Sequence, residues 1–278
     1  MGKSHILHFP NTETKTTKPL ELIHTDLWGP SPTPSRDGYN YYISLVDDFS
    51  RYTWIYPLKL KSEALDVFKL FKLQVENQFD TTIKNLQSDW GGEYRSFTQF
   101  LNQCGIIFRH SCPYTHHQNG LVERKHRHIV ELGLTLLAQA KLPFKFWWDA
   151  FHTAVYHINR LPSTALKLLT PYEKIFKLKP DYSMLKCFGC ICYPYLRDYN
   201  KHKFDYHSSK CIFLGYSPAH KGYKCLHSSG KIYIARHVVF DESTFPYSTY
   251  SVFSSNESSP CSSQSLTPQQ VYQLSTLS

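Results

Sequence analysis

The sequence predicts an α/β protein in which a mixed sheet with flanking helices is followed by a small β-barrel and a disordered tail. Three strand-like runs come first, helical and strand-like patterns then alternate, and short strand-like runs at even spacing begin near residue 186. Strands that give way to alternating helices and strands are typical of a mixed sheet covered by helices.

Residues 21–159 are predicted to form five strands and four helices. Runs rich in Ile, Tyr, Val and Trp predict an antiparallel meander, and Ser62 is expected to cap the helix that follows. Apolar residues at helical spacing predict the longer helices. The predicted strands are 21–27, 39–46, 52–58, 83–87 and 106–110, and the predicted helices are 63–79, 97–103, 121–140 and 144–159. This order is that of the ribonuclease-H-like architecture.

The pattern of apolar and turn residues changes after a connecting stretch, 161–183. Short apolar runs predict strands at 187–195, 211–216, 222–226 and 232–240, which together suggest a small β-barrel. Residues 186–242 hold nine Lys or Arg and four Asp or Glu, a net charge of 9 − 4 = +5. Residues 246–278 hold one charged residue, Glu257, among many Ser, Gln and Thr. The predicted units are a flexible lead-in, a ribonuclease-H-like core, a small β-barrel and a disordered tail, at 1–18, 19–182, 184–244 and 245–278.

Composition limits the class of protein. A hydrophobic content of 41% is typical of globular proteins, and no apolar run approaches the eighteen or so residues that span a membrane. The N-terminus lacks the apolar stretch of a secretory signal, so we expect a soluble intracellular protein without disulfides. A net charge of +9 fits either a well-solvated basic surface or a polyanionic partner.

The eight cysteines raise the question of a zinc site. The segment from Cys187 to Cys192 contains a CxxC, but no second pair follows at ligand spacing. Cys211 and Cys225 stand alone in strand-like runs. Structural cysteines are therefore favoured, and no zinc is expected.

Three carboxylates stand at the ends of predicted elements, where one edge of the sheet can gather them. Asp26 closes the first strand, Asp89 follows the fourth strand, and Glu123 opens the long helix. Oxygen-only ligands suit Mg²⁺ or Mn²⁺, and two such ions can activate an attacking hydroxyl and stabilise the leaving oxygen of a phosphodiester. The sequence therefore predicts a two-metal phosphoryl-transfer site.

Each carboxylate alone also has a structural explanation, as a turn residue or as a favourable charge in a first helical turn. For other polar and aromatic residues the structural reading is preferred. Asp47 and Asp48 are expected to form a turn, Glu93 to face away from Asp89, and Trp147 and Trp148 to lie in the core.

Several motifs, in order, make the chain resemble the integrase core of Ty1/Copia-type LTR retrotransposons, most like plant elements, and the SH3-like module that follows that core. The segments that carry the resemblance are His24–Pro30, Leu45–Arg51, Gln87–Tyr94 and Pro113–Lys125 for the core, and Phe188–Gly189, Lys210–Tyr216, Lys221–Tyr223 and Arg236–Asp241 for the module. The resemblance implies a DDE-type integrase, a polynucleotidyl transferase that trims the DNA ends of the element and joins them to target DNA. Asp26, Asp89 and Glu123 match the family's metal triad, with two Mg²⁺ or Mn²⁺ ions.

The resemblance also implies where double-stranded DNA binds. Asn119 matches a position close to DNA ends in related integrases. Basic residues crowd the start of the long helix, and Arg127, four residues after Glu123, is expected on the same face. A solvated helix face is the alternative for these basic residues, which are Arg124, Lys125, Arg127 and His128.

Two rival functions stay open, a ribonuclease-H-like nuclease with another substrate and a catalytically silent DNA-binding remnant of a decayed element. The resemblance implies a homo-multimer, since two DNA ends must be joined, and a location in a cytoplasmic particle before the nucleus. It also implies a His-His-Cys-Cys zinc module ahead of Gly2.

Overall fold

A computed structural model of the chain describes residues 16–89, 91–110, 120–199 and 206–248. Within these ranges ten strands form two five-stranded sheets, and five α-helices pack between and around them. None of the helices in these ranges is long and apolar enough to cross a membrane.

The first sheet has the strand order β3-β2-β1-β4-β5. The first three strands form the predicted antiparallel meander, and β4 and β5 join them in parallel. The prediction of a ribonuclease-H-like mixed sheet is therefore confirmed. Its strands are β1 (Leu22–Trp28), β2 (Tyr41–Asp47), β3 (Thr53–Leu58), β4 (Asn85–Ser88) and β5 (Ile107–His110).

The turn between β2 and β3 explains the two acidic residues that begin it. The Asp47 carboxylate accepts hydrogen bonds from the Ser50 backbone N–H at 2.8 Å and from the Ser50 hydroxyl at 2.6 Å. Asp48 pairs with Arg51 at 2.7 Å. Both side chains thus have structural partners, as predicted.

Helices cover both faces of the first sheet. Side chains alternate along β2, so Ile43 and Leu45 pack with α1 in one core, while Tyr42 packs with α3 and α4 in another. The helices are α1 (Ala64–Phe79), α2 (Phe97–Gln103), α3 (Gly120–Ala140), α4 (Trp147–Arg160) and α5 (Pro171–Phe176).

The helices differ from the prediction in two places. Ser62 does not cap α1, because it lies inside a 3-10 turn, Lys61–Glu63, whose Glu63 carboxylate accepts from the Lys59 N–H at 2.8 Å. The connecting stretch also contains α5, which was not predicted. Its signal was a capping residue, Thr170, whose hydroxyl oxygen accepts from the Glu173 N–H at 2.9 Å.

The second sheet is entirely antiparallel, with the order β10-β6-β7-β8-β9, and has the SH3-like character that was predicted. The predicted run 232–240 is two strands rather than one. One half pairs with β8 and the other with β6, so the chain crosses from one edge of the sheet to the other between them. The strands are β6 (Ile191–Pro194), β7 (Cys211–Tyr216), β8 (Tyr223–His227), β9 (Ile232–Ala235) and β10 (Val238–Asp241).

Residues at both ends of the described chain make specific contacts. Thr16 donates to Asp48 at 2.7 Å, and Phe245 and Tyr247 pack against the core that α3 and α4 form. These residues fall within the segments 1–18 and 245–278 that were expected to be flexible and disordered, and those expectations stay predictions. The rest of the predicted lead-in and tail, 1–15 and 249–278, lies outside the described residues.

Candidate active site

The first sheet and α3 bring the predicted acidic residues to one edge. Asp26 lies near the end of β1, and β4 runs parallel to β1 with Leu22 opposite Asn85, so Asp89 follows β4 at the same edge. The first turn of α3 carries Glu123, and α3 packs against β1 and β2. Three separate elements thus converge on this edge.

Asp26 and Glu123 line a common cleft of about 490 Å³. The Asp26 carboxylate is partly buried and accepts a hydrogen bond from the Leu27 N–H at 2.9 Å. The other residues that line the cleft all belong to α3, and they are His126, Arg127, Val130 and Glu131.

Burial and negative neighbours act together on the carboxyl groups. Burial raises the pKa of Asp26, and the charges of Glu123 and Glu93 raise it further. Loss of hydration also raises the pKa of Asp89, and the charges of Asp26 and Glu93 add to that effect. The acidic groups are therefore close enough to repel one another.

These carboxylates do not surround a single point in the structure. Across the described ranges, no group of three His, Cys, Asp or Glu side chains is arranged to hold a metal ion. The donor set itself, carboxylate oxygen from Asp26, Asp89 and Glu123, is the chemistry that hard divalent ions select.

Glu93 contributes to this acidic edge, so the expectation that it faces away was wrong. A 3-10 turn, Gly92–Ser96, follows Asp89 and folds the Glu93 carboxylate back toward Gly91, and Lys61 lies 3.5 Å from that carboxylate. The Lys61 charge lowers the pKa of both Asp26 and Asp89, which partly offsets the acidic neighbours. In the sequence, the one indication that Glu93 lies near this edge was its position four residues after Asp89.

The predicted DNA-binding residues separate into different surroundings. Arg127 lines the cleft with Glu123, as the spacing predicted, whereas Arg124 folds back over Gly120. Lys125 lies away from the cleft near Arg51, and burial, with the charge of Arg51, lowers its pKa to about 8.

Two more of the predicted DNA-binding residues remain. His128 is exposed, although burial and the charge of Lys125 lower its pKa somewhat. Asn119 lies outside the described residues.

Sequence reasoning missed His126, which the structure places in the cleft beside Asp26 and Glu123. Its Nδ1 lies 2.7 Å from the hydroxyl of Tyr42, a residue of β2 that is fully buried. The spacing of three residues from Glu123 puts both on one helix face and was an available signal.

The cysteines of the SH3-like sheet lie in its core. Burial raises the pKa of the Cys190 and Cys211 thiols to about 12. Cys192 and Cys225 are buried in the same cluster. The surroundings are those of structural cysteines, packed against aromatic rings such as Phe213 and Tyr223.

Family comparisons match both parts of the chain. Residues 16–116 match the integrase core domain, and residues 190–252 match the retroviral polymerase SH3-like domain. The chain is 51% identical over 250 residues to the Pol polyprotein of transposon RE2 of Arabidopsis thaliana, and 49% identical over 251 residues to that of RE1 from the same plant. It is 37% identical over 245 residues to the Pol polyprotein of transposon TNT 1-94 of Nicotiana tabacum.

These alignments cover most of this chain and a small part of each relative. The matches to RE2 and RE1 cover 90% of the chain but 17% of each polyprotein, and the match to TNT 1-94 covers 87% and 18%.

Solved structures of viral integrases give more distant matches. A simian T-cell lymphotropic virus intasome in complex with PP2A regulatory subunit B56 gamma aligns with 16% identity and a TM-score of 0.47, over 80% of this chain and 78% of that chain. The HTLV-2 integrase catalytic core domain in complex with magnesium aligns with 19% identity and a TM-score of 0.41, over 56% and 97%.

The two family matches occur in the order that the fold shows, with the mixed sheet first and the antiparallel sheet second. The relatives at 49–51% identity are plant retrotransposon polyproteins. The chain therefore belongs to the integrase region of Ty1/Copia-type retrotransposon Pol polyproteins, with an integrase core domain followed by a retroviral SH3-like domain.

Proposed function

We propose that this chain is a DDE-type integrase that trims the DNA ends of its element and joins them to target DNA by phosphoryl transfer. The observation that carries the proposal is the meeting of Asp26 and Glu123, from a strand and a helix far apart in sequence, in one cleft at the edge where β4 delivers Asp89. Membership of the integrase family supports the same reaction class.

In the proposed joining step, the 3′ hydroxyl oxygen of an element end attacks a phosphorus atom of the target DNA. A new phosphodiester bond forms as the bond from that phosphorus to the target's own oxygen breaks. The attacking hydroxyl gives up its proton, and the leaving oxygen takes one from solvent. No oxidant or nucleotide is consumed, because one phosphodiester replaces another.

Divalent ions, Mg²⁺ or Mn²⁺, fit the oxygen donors of Asp26, Asp89 and Glu123, which would hold them. When bound, such ions stabilise the charge that develops on the oxygens of a transferring phosphoryl group. Burial, with repulsion from the neighbouring carboxylates, raises the pKa of Asp26 and Asp89, and a cation would relieve that repulsion, which supports this role.

The remaining residues of the cleft serve DNA in this proposal. Arg127 would contact a phosphate next to the carboxylates, and Arg124, Lys125 and His128 would hold the backbone further along the helix. Asn119 would lie near the DNA end. The DNA partners are double-stranded element ends and target, the assembly is a homo-multimer, and the reaction takes place in the nucleus after a cytoplasmic particle stage.

Isosteric substitution of each acidic residue tests the proposal. Asp26→Asn, Asp89→Asn and Glu123→Gln each remove one negative ligand with little change in volume. In a protein extended at its N-terminus with the His-His-Cys-Cys module, each should reduce Mg²⁺-dependent strand transfer by at least about 10²-fold while DNA affinity persists. The three losses should not add, because the ligands act together.

The matched control is Asp66→Asn, which changes an exposed carboxylate on α1 and should leave strand transfer unchanged. Substantial activity in any one of the three variants would remove that residue from the site. An inactive wild-type protein that still binds DNA would instead support the second candidate, a catalytically silent remnant of a decayed element.

A further inference from the structure

His126 stands apart from its basic neighbours on α3, because its ring packs on the aromatic residues Tyr42 and Trp28 while it lines the cleft. The ring stacks on Tyr42 with centroids 5.9 Å apart, and Trp28 lies 6.1 Å away. Trp28 and Tyr42 in turn pack against Phe151. The imidazole therefore rests on a rigid base that spans β1, β2 and α4.

The contact with Tyr42 defines which nitrogen of His126 carries the proton. Burial raises the pKa of the Tyr42 hydroxyl well above its ordinary value, and the Asp26 charge raises it further, so Tyr42 keeps its proton at neutral pH. Burial also lowers the pKa of His126, which favours the neutral ring. The Tyr42 side chain is fully buried, and within the described residues Nδ1 of His126 is the hydrogen-bond partner of its hydroxyl. A buried hydroxyl needs an acceptor for its proton, so Tyr42 donates to Nδ1, and the ring proton of His126 belongs on Nε2.

This arrangement leaves Nε2–H as an unused donor beside the acidic edge. Within the part of the chain that the structure describes, Tyr42 provides the hydrogen bond that His126 makes, and its Nε2 has no acceptor. A neutral donor at this place can bind an anionic oxygen without adding positive charge next to the carboxylates.

We propose that His126 donates a hydrogen bond from Nε2 to a non-bridging phosphate oxygen of the DNA strand in the cleft, and that Tyr42 is a positioning residue that fixes the required tautomer. The inference rests on the proposed function, since it names a substrate contact of the same site. Arg127, which lines the same cleft, would attract the phosphate by its charge, and His126 would orient the phosphate through a directional hydrogen bond.

Phosphate-specific chemical substitution tests the contact directly. DNA substrates are prepared in which single phosphates near the reacting end carry a methyl group in place of one non-bridging oxygen. With wild-type protein, one such phosphate should lower strand transfer by about tenfold, as expected for one lost hydrogen bond. His126→Phe should cause a similar loss on unmodified DNA, with no further loss at that phosphate.

Two companion variants separate the contact from packing. His126→Gln keeps an N–H donor and should retain most of the activity, whereas His126→Phe keeps an aromatic ring on Tyr42 and should not. The contact would be overturned if the loss of strand transfer caused by His126→Phe added to the loss caused by the methyl group at every modified phosphate. Wild-type strand transfer by the His126→Phe protein would also overturn it.

The tautomer is tested in the free protein, without DNA. Nitrogen NMR of labelled histidine should show His126 protonated at Nε2 alone, and Tyr42→Phe should convert it to a mixture of tautomers. His128, exposed on the same helix, should not change. A His126 ring protonated at Nδ1 in the wild-type protein would refute the role of Tyr42.

Failure of the proposed function can be told apart from failure of this inference. Affinity for the same modified DNA, measured in Ca²⁺ without turnover, should fall at one phosphate only when His126 is present. That result in a protein without strand transfer would reject the integrase activity and keep the His126 contact. If the protein performed strand transfer but no phosphate depended on His126, the integrase activity would be kept and the His126 contact rejected.

Discussion

At the scale of single residues, Asp26 is the group on which the site's opposing forces act most directly. Its strand position makes it partly buried, and Glu123 and Glu93 place negative charge near it, while the Leu27 N–H and Lys61 favour its ionised form. The raised pKa shows that burial and repulsion prevail. A carboxylate in this position costs the fold free energy at neutral pH.

We therefore expect Asp26→Asn to stabilise the protein at pH 7 in a chelating buffer. The folded-state pKa of Asp26 is raised, so ionisation penalises the folded wild-type protein above that pKa, and the amide carries no such penalty. The gain in melting temperature should shrink as pH falls through the folded pKa. It should vanish below about 3.9, the ordinary pKa of Asp, where wild type is protonated in both states.

Asp66→Asn is the matched control, because that side chain is 77% exposed and should show little change in melting temperature at either pH. Scanning calorimetry across the pH range measures both variants. A gain for Asp26→Asn that does not depend on pH, or a loss of stability at pH 7, would contradict the electrostatic account.

The sequence located Asp26, Asp89 and Glu123 because each ends or begins an element and matches a family motif. Sequence spacing places Glu93 near Asp89 and His126 on the helix face of Glu123, but it could not predict the directions of the two side chains. The direction of Glu93 depends on a 3-10 turn and on Lys61 from another element, and the direction of His126 depends on Tyr42, 84 residues away. Such orientations come from tertiary contacts that no local pattern records.

At the scale of elements, the pair of helices α3 and α4 forms the platform behind the cleft. Gly133 of α3 faces the ring of Phe151 in α4, and a Cβ atom on Gly133 would lie 2.2 Å from Phe151 Cδ1. Phe151 is fully buried and its ring contacts Trp28, Tyr42 and Trp147, so it has little room to move. The helices approach this closely because position 133 has no side chain.

Gly133→Ala should therefore destabilise the protein although alanine is the better helix former. Helix propensity favours alanine by about 1 kcal/mol, but the forced displacement of a buried ring costs more, and we expect a net loss of about 1–3 kcal/mol in the free energy of unfolding. Urea unfolding measures this loss.

Gly92→Ala serves as the control for Gly133→Ala, since an added methyl group there meets no atom within 4 Å. Its free energy of unfolding should change by about 0.5 kcal/mol or less. Equal stability of Gly133→Ala and wild type would show that the two helices can separate freely.

Long elements were predictable because their apolar periods are repeated, as in α1, where Phe68, Phe71 and Val75 are buried. Short elements were less so. The six-residue helix α5 was missed, and β9 and β10 were taken as one strand because an unbroken apolar run does not show where a chain changes partner strands. The break between β9 and β10 comes where the chain stops pairing with β8 and begins to pair with β6.

At the scale of the whole molecule, α4 belongs to the cores of both units. Its side chains pack with Ile212 and Leu214 of β7 as well as with the first sheet. Tyr156 stacks on Tyr216 with centroids 3.6 Å apart, and the Arg160 guanidinium lies 3.4 Å from the Tyr156 ring.

A glycine makes the close approach of β7 to α4 possible. Gly215 has φ +94°, and a Cβ atom there would lie 2.1 Å from the Thr153 hydroxyl oxygen. The sequence predicted separate units at 19–182 and 184–244, and those boundaries remain predictions. It could not predict this shared surface, because apolar residues facing a neighbouring unit look the same as residues of a unit's own core.

A buried ion pair crosses the same surface, where Lys224 of β8 donates to Asp149 of α4. The Asp149 side chain is 2% exposed and that of Lys224 is 14% exposed. Burial and the Lys224 charge lower the pKa of the neighbouring His152 to about 4, so His152 is neutral at pH 7 and does not compete for Asp149. Removal of either partner would leave the other charge buried without compensation.

We expect the core and the SH3-like module to unfold together because they share this surface. Lys224→Met should lower the free energy of unfolding by about 3–5 kcal/mol, and adding Asp149→Leu should recover most of that loss, since the uncompensated charge is then gone. Lys69→Met, which breaks an exposed pair on α1, should cost about 1 kcal/mol or less. Calorimetry should show one transition for wild type, whose calorimetric and van't Hoff enthalpies agree. Two separate transitions, with Lys224→Met affecting only one, would mean that the units fold independently and that α4 merely touches the module.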